Sequence, residues 1–301
     1  MVKEITVKSI LNKHRKRDSW FLDDYSVNPY ERCAFNCIYC YIRGSKYGEN
    51  MQKTLSVKIN ACQLLEKELQ RRARKAEHGF IIFSSSTEAW QPIDEKYKLT
   101  RRLLQIVKHY KFPVHALTKS KLILRDLDVL KEIDETAILP SDLKTKLSHK
   151  VIITFSLSTL DEKTSKIFEP NAPTPKERLE TMQKCLEEGF FSGIAYIPLL
   201  PYISDLDEQV EEMIKTAKEY GAKYVFVGAL TLSGIGKALY YNTLRRHFPN
   251  LIPKYNELFK NGVPSQTYQN TLERKAAELC KKYRVRYKII SLGNRNYIEG
   301  M

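Results

Sequence analysis

The sequence predicts an α/β protein built on a parallel sheet, and two observations carry that expectation. Short apolar runs of strand length alternate with longer amphipathic segments of helical period from about residue 60 to residue 230. Such alternation calls for right-handed βαβ crossovers and a sheet covered on both faces. The chain also has 301 residues, enough to bury one large core, and no apolar run of ~18 residues that could span a membrane.

The elements follow in order. A first strand is expected just before Asn28, and residues 60–77 read as a helix with Leu64, Leu65 and Leu69 on one side and Arg71, Arg72 and Arg74 near its end. Residues 80–83, Phe-Ile-Ile-Phe, have strand length. The cycle continues as helix 95–110, strand 113–117, helix 123–133, strand 150–157, helix 175–188, strand 191–198, helix 205–220 and strand 224–230, six units in all. Pro175 and Glu177 are good first-turn residues for the helix at 175. Residues 136–149 are too many for an ordinary helix-to-strand connection and read as a surface excursion. Residues 239–301 break the alternation, with helices around 239–247 and 271–282, a strand at 287–291 and a tail. Three regions are therefore expected: a basic stretch, 1–20, acting as a strap or a nucleic-acid-binding arm; a central α/β unit, 21–238; and an appendage, 239–301, packing on that unit.

Three cysteines, Cys33, Cys37 and Cys40, fall within eight positions. Three thiolates can hold three irons of a cubane and leave the fourth open, whereas a closed cluster or a structural zinc needs a fourth ligand. For zinc that ligand would have to come from His14, His78 or the remote Cys62. A disulfide framework does not suit a chain of this length with six cysteines and no apolar secretory segment. Cys62, Cys185 and Cys280 stand singly and read as small buried hydrophobes. His109 and His115 have no partner visible in the sequence and read as structural. Gly234-Ile235-Gly236-Lys237 lacks the spacing of a phosphate-wrapping loop and reads as a turn or mobile loop.

Lys and Arg number 50 against 35 Asp and Glu, a net charge of +15, which favours contact with a polyanion such as nucleic acid. The charge is concentrated at residues 13–17, 71–75 and 281–288. Unpaired thiols and an oxygen-labile cluster suit a reducing, cytoplasmic setting.

The spacing C-x-x-x-C-x-aromatic-C, here Cys33, Cys37, Tyr39 and Cys40, resembles the signature of the radical S-adenosylmethionine (SAM) enzymes. The blocks NPYERCAFNCIYCY, VKIN, TEAWQPID, LTKSKLILRDLDVL and FSLSTLDE…FEPNAPTPKERLE occur in order over about residues 25–200 and look like those of the spore photoproduct lyase-like branch. The resemblance implies a partial (β/α)6 barrel, its open side closed by the C-terminal helical and strand appendage. It implies a [4Fe-4S] cluster on the three cysteines, SAM chelated at the open iron, and an electron donor such as a ferredoxin or flavodoxin. Function gathers at the carboxyl ends of barrel strands, and the resemblance assigns Thr87 and Glu88 to the SAM amino group, Lys119 and Ser156 to its carboxylate, and Ala195 and Tyr39 to its adenine. Arg178 is a further candidate for the ribose or carboxylate. The implied reaction is one-electron cleavage of SAM to methionine and a 5′-deoxyadenosyl radical, which abstracts hydrogen from substrate.

The lyases of this branch act on a thymine dimer in DNA, and they return a hydrogen atom from a cysteine placed shortly before the pair that matches Thr87 and Glu88. The nearest equivalent here is Ser85, whose O–H bond is too strong for the task, and Tyr41 is the candidate substitute. Three readings stand at this point: a lyase-like enzyme on nucleic acid, an enzyme of the same branch on a small molecule or peptide, and a non-enzymatic metal protein that binds nucleic acid.

Overall fold

The computed structural model describes residues 2–45, 54–260 and 262–290. The N-terminal strands are β1 (Lys3–Ile5), β2 (Leu11–Lys13), β3 (Tyr25–Val27), β4 (Tyr30–Glu31) and β5 (Ser56–Lys58). The alternating region follows as α1 (Ala61–Arg74), β6 (Ile81–Phe83), α2 (Ile93–Tyr97), α3 (Leu99–His109), β7 (Val114–Thr118), α4 (Leu127–Thr136), β8 (Val151–Leu157), α5 (Glu162–Phe168), α6 (Pro175–Glu187), β9 (Phe191–Leu199), α7 (Asp207–Glu219) and β10 (Tyr224–Ala229). The chain continues through α8 (Gly234–His247), α9 (Ile252–Leu258), α10 (Gln266–Lys282) and β11 (Arg286–Tyr287).

Strands β3, β6, β7, β8, β9 and β10 are consecutive parallel neighbours, the six-unit parallel sheet that the alternation predicts and the partial barrel that the resemblance implies. Two strands extend it. β2 pairs antiparallel with β3, and β11, which overlaps the strand expected at 287–291, adds a further parallel strand beyond β10. Residues 291–301 of the expected strand and tail lie outside the described residues. A small sheet, β1-β5-β4, ties the N-terminal stretch to the chain just before the cysteines. Among the described residues no helix is long and apolar enough to cross a membrane.

Every residue of β8 is buried, which is why it reads as a continuous apolar run: helices cover one face and the barrel interior the other. On the outer face Leu65, Leu69, Leu103, Leu104, Leu130, Met182 and Ile214 of the helices pack on Phe83, Val114, Val151, Ile153 and Val225 of the strands. The start of α6 follows its sequence signals. The Thr174 hydroxyl accepts from the Glu177 amide at 3.2 Å, the Glu177 carboxylate accepts from the Thr174 amide at 2.8 Å, and Pro175 fills the first position.

Four expectations are corrected. The helix expected at 95–110 is two helices, because Lys98 adopts the left-handed conformation (φ 48°) and the buried Asp94 carboxylate accepts from the Thr100 amide at 2.9 Å. The excursion at 136–149 is no mere surface feature. Leu139, Leu143 and Leu147 are buried with Phe80, Ile152 and Tyr224, residues at strand starts, and with Leu22, so the segment plugs the barrel at the end away from the site. Gly234-Ile235-Gly236-Lys237 is the first turn of α8 and not a loop; the helix begins five residues before the expected 239. Its two glycines lie against the turn that follows the cysteines: a Cβ on Gly234 would meet the Gly44 Cα at 3.1 Å and one on Gly236 the Arg43 Cβ at 3.2 Å. The fourth correction concerns Arg178, taken up with the site below.

His115 is structural, as its lack of sequence partners implied. It lies fully buried inside the barrel, with Nδ1 2.6 Å from the Phe21 carbonyl oxygen and Nε2 2.6 Å from the Thr154 hydroxyl. A carbonyl can only accept, so Nδ1 carries the proton and Nε2 accepts. Burial pushes its pKa down to about 4, which keeps the ring neutral.

Candidate active site

The cysteine loop leaves β4 through two left-handed residues, Arg32 (φ 71°) and Asn36 (φ 54°), which curl it tightly. It closes in a single 3-10 turn, Tyr41–Gly44. Two neighbouring segments hold it. On one side the Gln91 side chain accepts from the Ala34 amide at 2.8 Å and donates to the Arg32 carbonyl at 3.2 Å. On the other, the Ile38 amide donates to the Phe168 carbonyl at 2.8 Å, the Asn171 side chain donates to the Ala34 carbonyl at 3.0 Å, and the Tyr39 hydroxyl donates to Glu169.

Glu169 is the residue that the sequence reading missed. It is fully buried, and besides Tyr39 its carboxylate receives Arg178 Nη2 and the Ser165 hydroxyl, with Lys119 Nζ 4.0 Å away. Burial works against its charge, but Arg178 and Lys119 outweigh it and hold the carboxyl below its ordinary range. Arg178 therefore does not face a ligand. Its side chain is buried, with Nε donating to the Pro173 carbonyl at 2.8 Å, Nη1 to the Ser156 carbonyl at 3.0 Å and Nη2 to Glu169. A guanidinium so enclosed needs its counter-ion, and the nearest carboxylate takes it.

At the end of β3, Asn28 organises the loop that follows β6. Its Oδ1 accepts from the Ser86 amide at 3.0 Å and the Thr87 amide at 3.2 Å, and its Nδ2 donates to the Ser85 hydroxyl at 3.1 Å. The Tyr41 hydroxyl donates to the Ser85 carbonyl at 2.6 Å, so this tyrosine and serine are neighbours. Thr87 donates its hydroxyl to the Tyr30 carbonyl at 3.2 Å. Glu88 accepts from the Thr118 hydroxyl at 2.8 Å, the Trp90 amide at 3.1 Å and the Lys119 amide at 2.9 Å. Burial pushes the Glu88 carboxyl upward against these donors, so a cation brought beside it would relieve a buried negative charge.

Lys119 follows β7 and donates through Nζ to the Ser156 hydroxyl at 2.7 Å, while that hydroxyl donates to the Ile197 carbonyl at 3.1 Å. Ala195 sits beside Ser156 in the strand register. Eleven of the twelve sequence-derived candidates, Cys33, Cys37, Tyr39, Cys40, Tyr41, Ser85, Thr87, Glu88, Lys119, Ser156 and Ala195, line one cavity of about 730 Å³ at the carboxyl ends of the strands, and Arg178 does not. That volume is ordinary for a cofactor and a substrate together. The connection between β2 and β3 also lines it, through His14, Lys16, Arg17, Asp18, Ser19 and Asp23, with His14 2.8 Å from Asp23 and Arg17 3.1 Å from Asp24.

All six cysteines are thiols, and the three in the loop are half-buried while Cys185 and Cys280 are buried in the core. Burial pushes the Cys33 thiol up to about 11, with the charge of Glu88 adding to the effect. Among the described residues no three Cys, His, Asp or Glu side chains are gathered closely enough to share a single ion. A cubane takes one cysteine per iron and so spreads them apart. Three soft sulfur donors, spread around one wall of a cavity whose other walls carry a carboxylate and an ammonium, fit such a cluster with an amino acid beside it.

The family model described as the radical SAM superfamily matches residues 27–217. A curated protein of Mycobacterium bovis is 27% identical over 265 residues, covering 86% of this chain and 74% of its own. One from Methanocaldococcus jannaschii is 27% identical over 205 residues, covering 67% of this chain and 69% of its own. Among solved structures, a spore photoproduct lyase variant superposes with a TM-score of 0.70 at 14% identity, covering 95% of this chain and 81% of that one. The same lyase complexed with dinucleoside spore photoproduct gives a TM-score of 0.68 at 14% identity with the same coverage. Streptococcus suis SuiB bound to its precursor peptide gives 0.52 at 14% identity, covering 89% of this chain and 48% of that one. At these identities the structural likeness is one of fold.

Proposed function

The chain belongs to the radical SAM superfamily and is an enzyme, and on that premise we propose that it holds a [4Fe-4S] cluster on Cys33, Cys37 and Cys40 and uses SAM to abstract hydrogen from a nucleic-acid substrate. The observation that carries this reading is that the three cysteines open on the same cavity as Glu88, Lys119 and Ser156. When bound, the cluster and SAM supply one electron and a C5′–S bond that breaks to methionine and a 5′-deoxyadenosyl radical.

The chain's own residues orient and shield. Glu88 and Thr87 would hold the SAM amino group, with Glu88 pre-set by its three close donors. Lys119 and Ser156, already hydrogen-bonded to each other, converge where a carboxylate would take both. Ala195 leaves room for the adenine, and Tyr39, pinned by Glu169, backs the loop. Apolar walls from Phe21, Leu117, Ile197 and Leu230 keep water from the reacting centre. Ser85 and Tyr41 lie together beyond the cysteines, and the Tyr41 phenol is the better candidate to return a hydrogen atom to product. The net charge of +15 supports a phosphate-bearing substrate.

Lys119→Ala is expected to weaken SAM binding about tenfold to a hundredfold, the worth of one charge-assisted contact, with iron content unchanged. Equilibrium binding of SAM to the reconstituted protein checks this; unchanged affinity would mean that the carboxylate lies elsewhere. For the substrate, deuterated oligonucleotides are expected to pass deuterium into 5′-deoxyadenosine. Label arriving from deuterated peptides and never from nucleic acid would move the reading to the peptide class.

A further inference from the structure

The first turn of α8 touches the cysteine loop through backbone. Besides the contacts of Gly234 and Gly236 with Gly44 and Arg43, a Cβ on Gly236 would stand 3.6 Å from the carbonyl oxygen of Cys40. Gly234 takes a left-handed φ of 48°, which glycine adopts without strain, and Gly236 has no Cβ to meet the Arg43 side chain, so the two permit the close approach. The outer side of the same helix is cationic. The α8 sequence, GIGKALYYNTLRRH, carries Lys237, Arg245 and Arg246 and no acidic residue. Between α8 and the end of α9 lies a groove of about 670 Å³ lined by Lys237, Tyr241, Asn242, Arg245, Asn256 and Lys260, with no carboxylate among its described lining residues. It shares no lining residue with the 730 Å³ cavity.

We propose that this groove is the docking surface for an acidic one-electron carrier protein, of the iron–sulfur or flavin class, which reduces the cluster through the first turn of α8 and Cys40. The proposal rests on the radical SAM reading, since only a chain that holds a cluster needs such a donor. One electron leaves the reduced carrier, which is oxidised by one equivalent, and enters the cluster; no bond or proton moves. Electron transfer weakens steeply with distance, and the glycine contacts make α8 an outer surface in van der Waals contact with a cluster-bearing turn. The position also separates this partner from a nucleic acid. A nucleic-acid substrate must enter the cavity, whereas a donor has to stand near the cluster without blocking the cavity mouth, and the separate groove meets that condition. Cations without interspersed carboxylates complement an acidic face and speed its approach.

The test is the charge-reversed variant Lys237→Glu/Arg245→Glu/Lys260→Glu, with Lys237→Arg/Arg245→Lys/Lys260→Arg as the conservative control. Equilibrium binding of a purified acidic plant-type ferredoxin to the protein without cluster is expected to weaken at least ~10-fold in low salt, to lose most of its salt dependence, and to be unchanged in the control. In the loaded enzyme, ferredoxin-driven SAM cleavage should fall in parallel while dithionite-driven cleavage stays at the parent rate. Ferredoxin binding as tight as the parent's would overturn the proposal. So would a loss of affinity confined to a single-stranded oligonucleotide probe, which would assign the groove to nucleic acid. Absence of dithionite-driven cleavage in the parent would instead count against the radical SAM reading, and the binding result would still stand on its own.

Discussion

Cys37→Ala is expected to abolish iron loading and SAM cleavage together, while Cys185→Ala leaves both intact. With three protein ligands and an open fourth position, each cysteine anchors one corner of the cluster, and two thiols cannot replace the third. The loss should exceed the ~10–100-fold that removal of an outer-sphere partner costs a metal site. Cys185 lies in the core on α6, away from the cavity, so its replacement removes only a little buried volume. Iron and sulfide analysis with SAM turnover on anaerobically reconstituted protein checks the pair. Full iron content and unchanged cleavage in Cys37→Ala would end the cluster assignment, and stoichiometric zinc in the parent would restore the zinc reading.

Glu169→Ala is expected to be the most destabilising single substitution near the site. It leaves the Arg178 guanidinium, whose side chain is 0% exposed, buried without its counter-ion, at a cost of about 3–5 kcal/mol. It also strips the Tyr39 hydroxyl of its acceptor, freeing the middle of the cysteine loop from the 168–171 segment. A fall in melting temperature on the order of 10 °C should follow, with poorer iron loading at a given sulfide concentration. The double variant Glu169→Ala/Arg178→Met should recover part of the stability, because the unpaired charge then leaves the core, without recovering the loop. A Glu169→Ala protein that melts with the parent would show that the pair contributes nothing to the fold.

Much of this molecule is legible along the chain because its signals are local. Strand-length apolar runs such as 80–83 and 150–157 have one physical solution in a covered parallel sheet, and β6 and β8 appear where they are expected. The cap at Thr174 and Glu177 is equally local, since each partner is three residues from the other. The cysteines share a short loop, and the remaining candidates sit at the ends of successive strands, so the barrel alone brings them to one cavity.

What the chain by itself determined is thus the alternation, set by periodicity, and the cysteine spacing, while the other cavity residues were read from motif blocks that resemble a known family. Only the tertiary structure decided which charges are spent internally. Arg178 looked like a ligand-facing cation and is bound to Glu169 in the interior; Leu139, Leu143 and Leu147 looked like a surface excursion and plug the barrel; the Gly-Ile-Gly-Lys turn looked like a loop and opens a helix against the cysteine loop. Each depends on a contact that the sequence pattern does not report: Arg178 on Glu169, nine residues away, and on Ser156, 22 away, and the first turn of α8 on Gly44, 190 residues before Gly234. Burial, counter-ion pairing and backbone approach are properties of the contacting neighbour as much as of the residue, and hydrophobic periodicity carries no record of them.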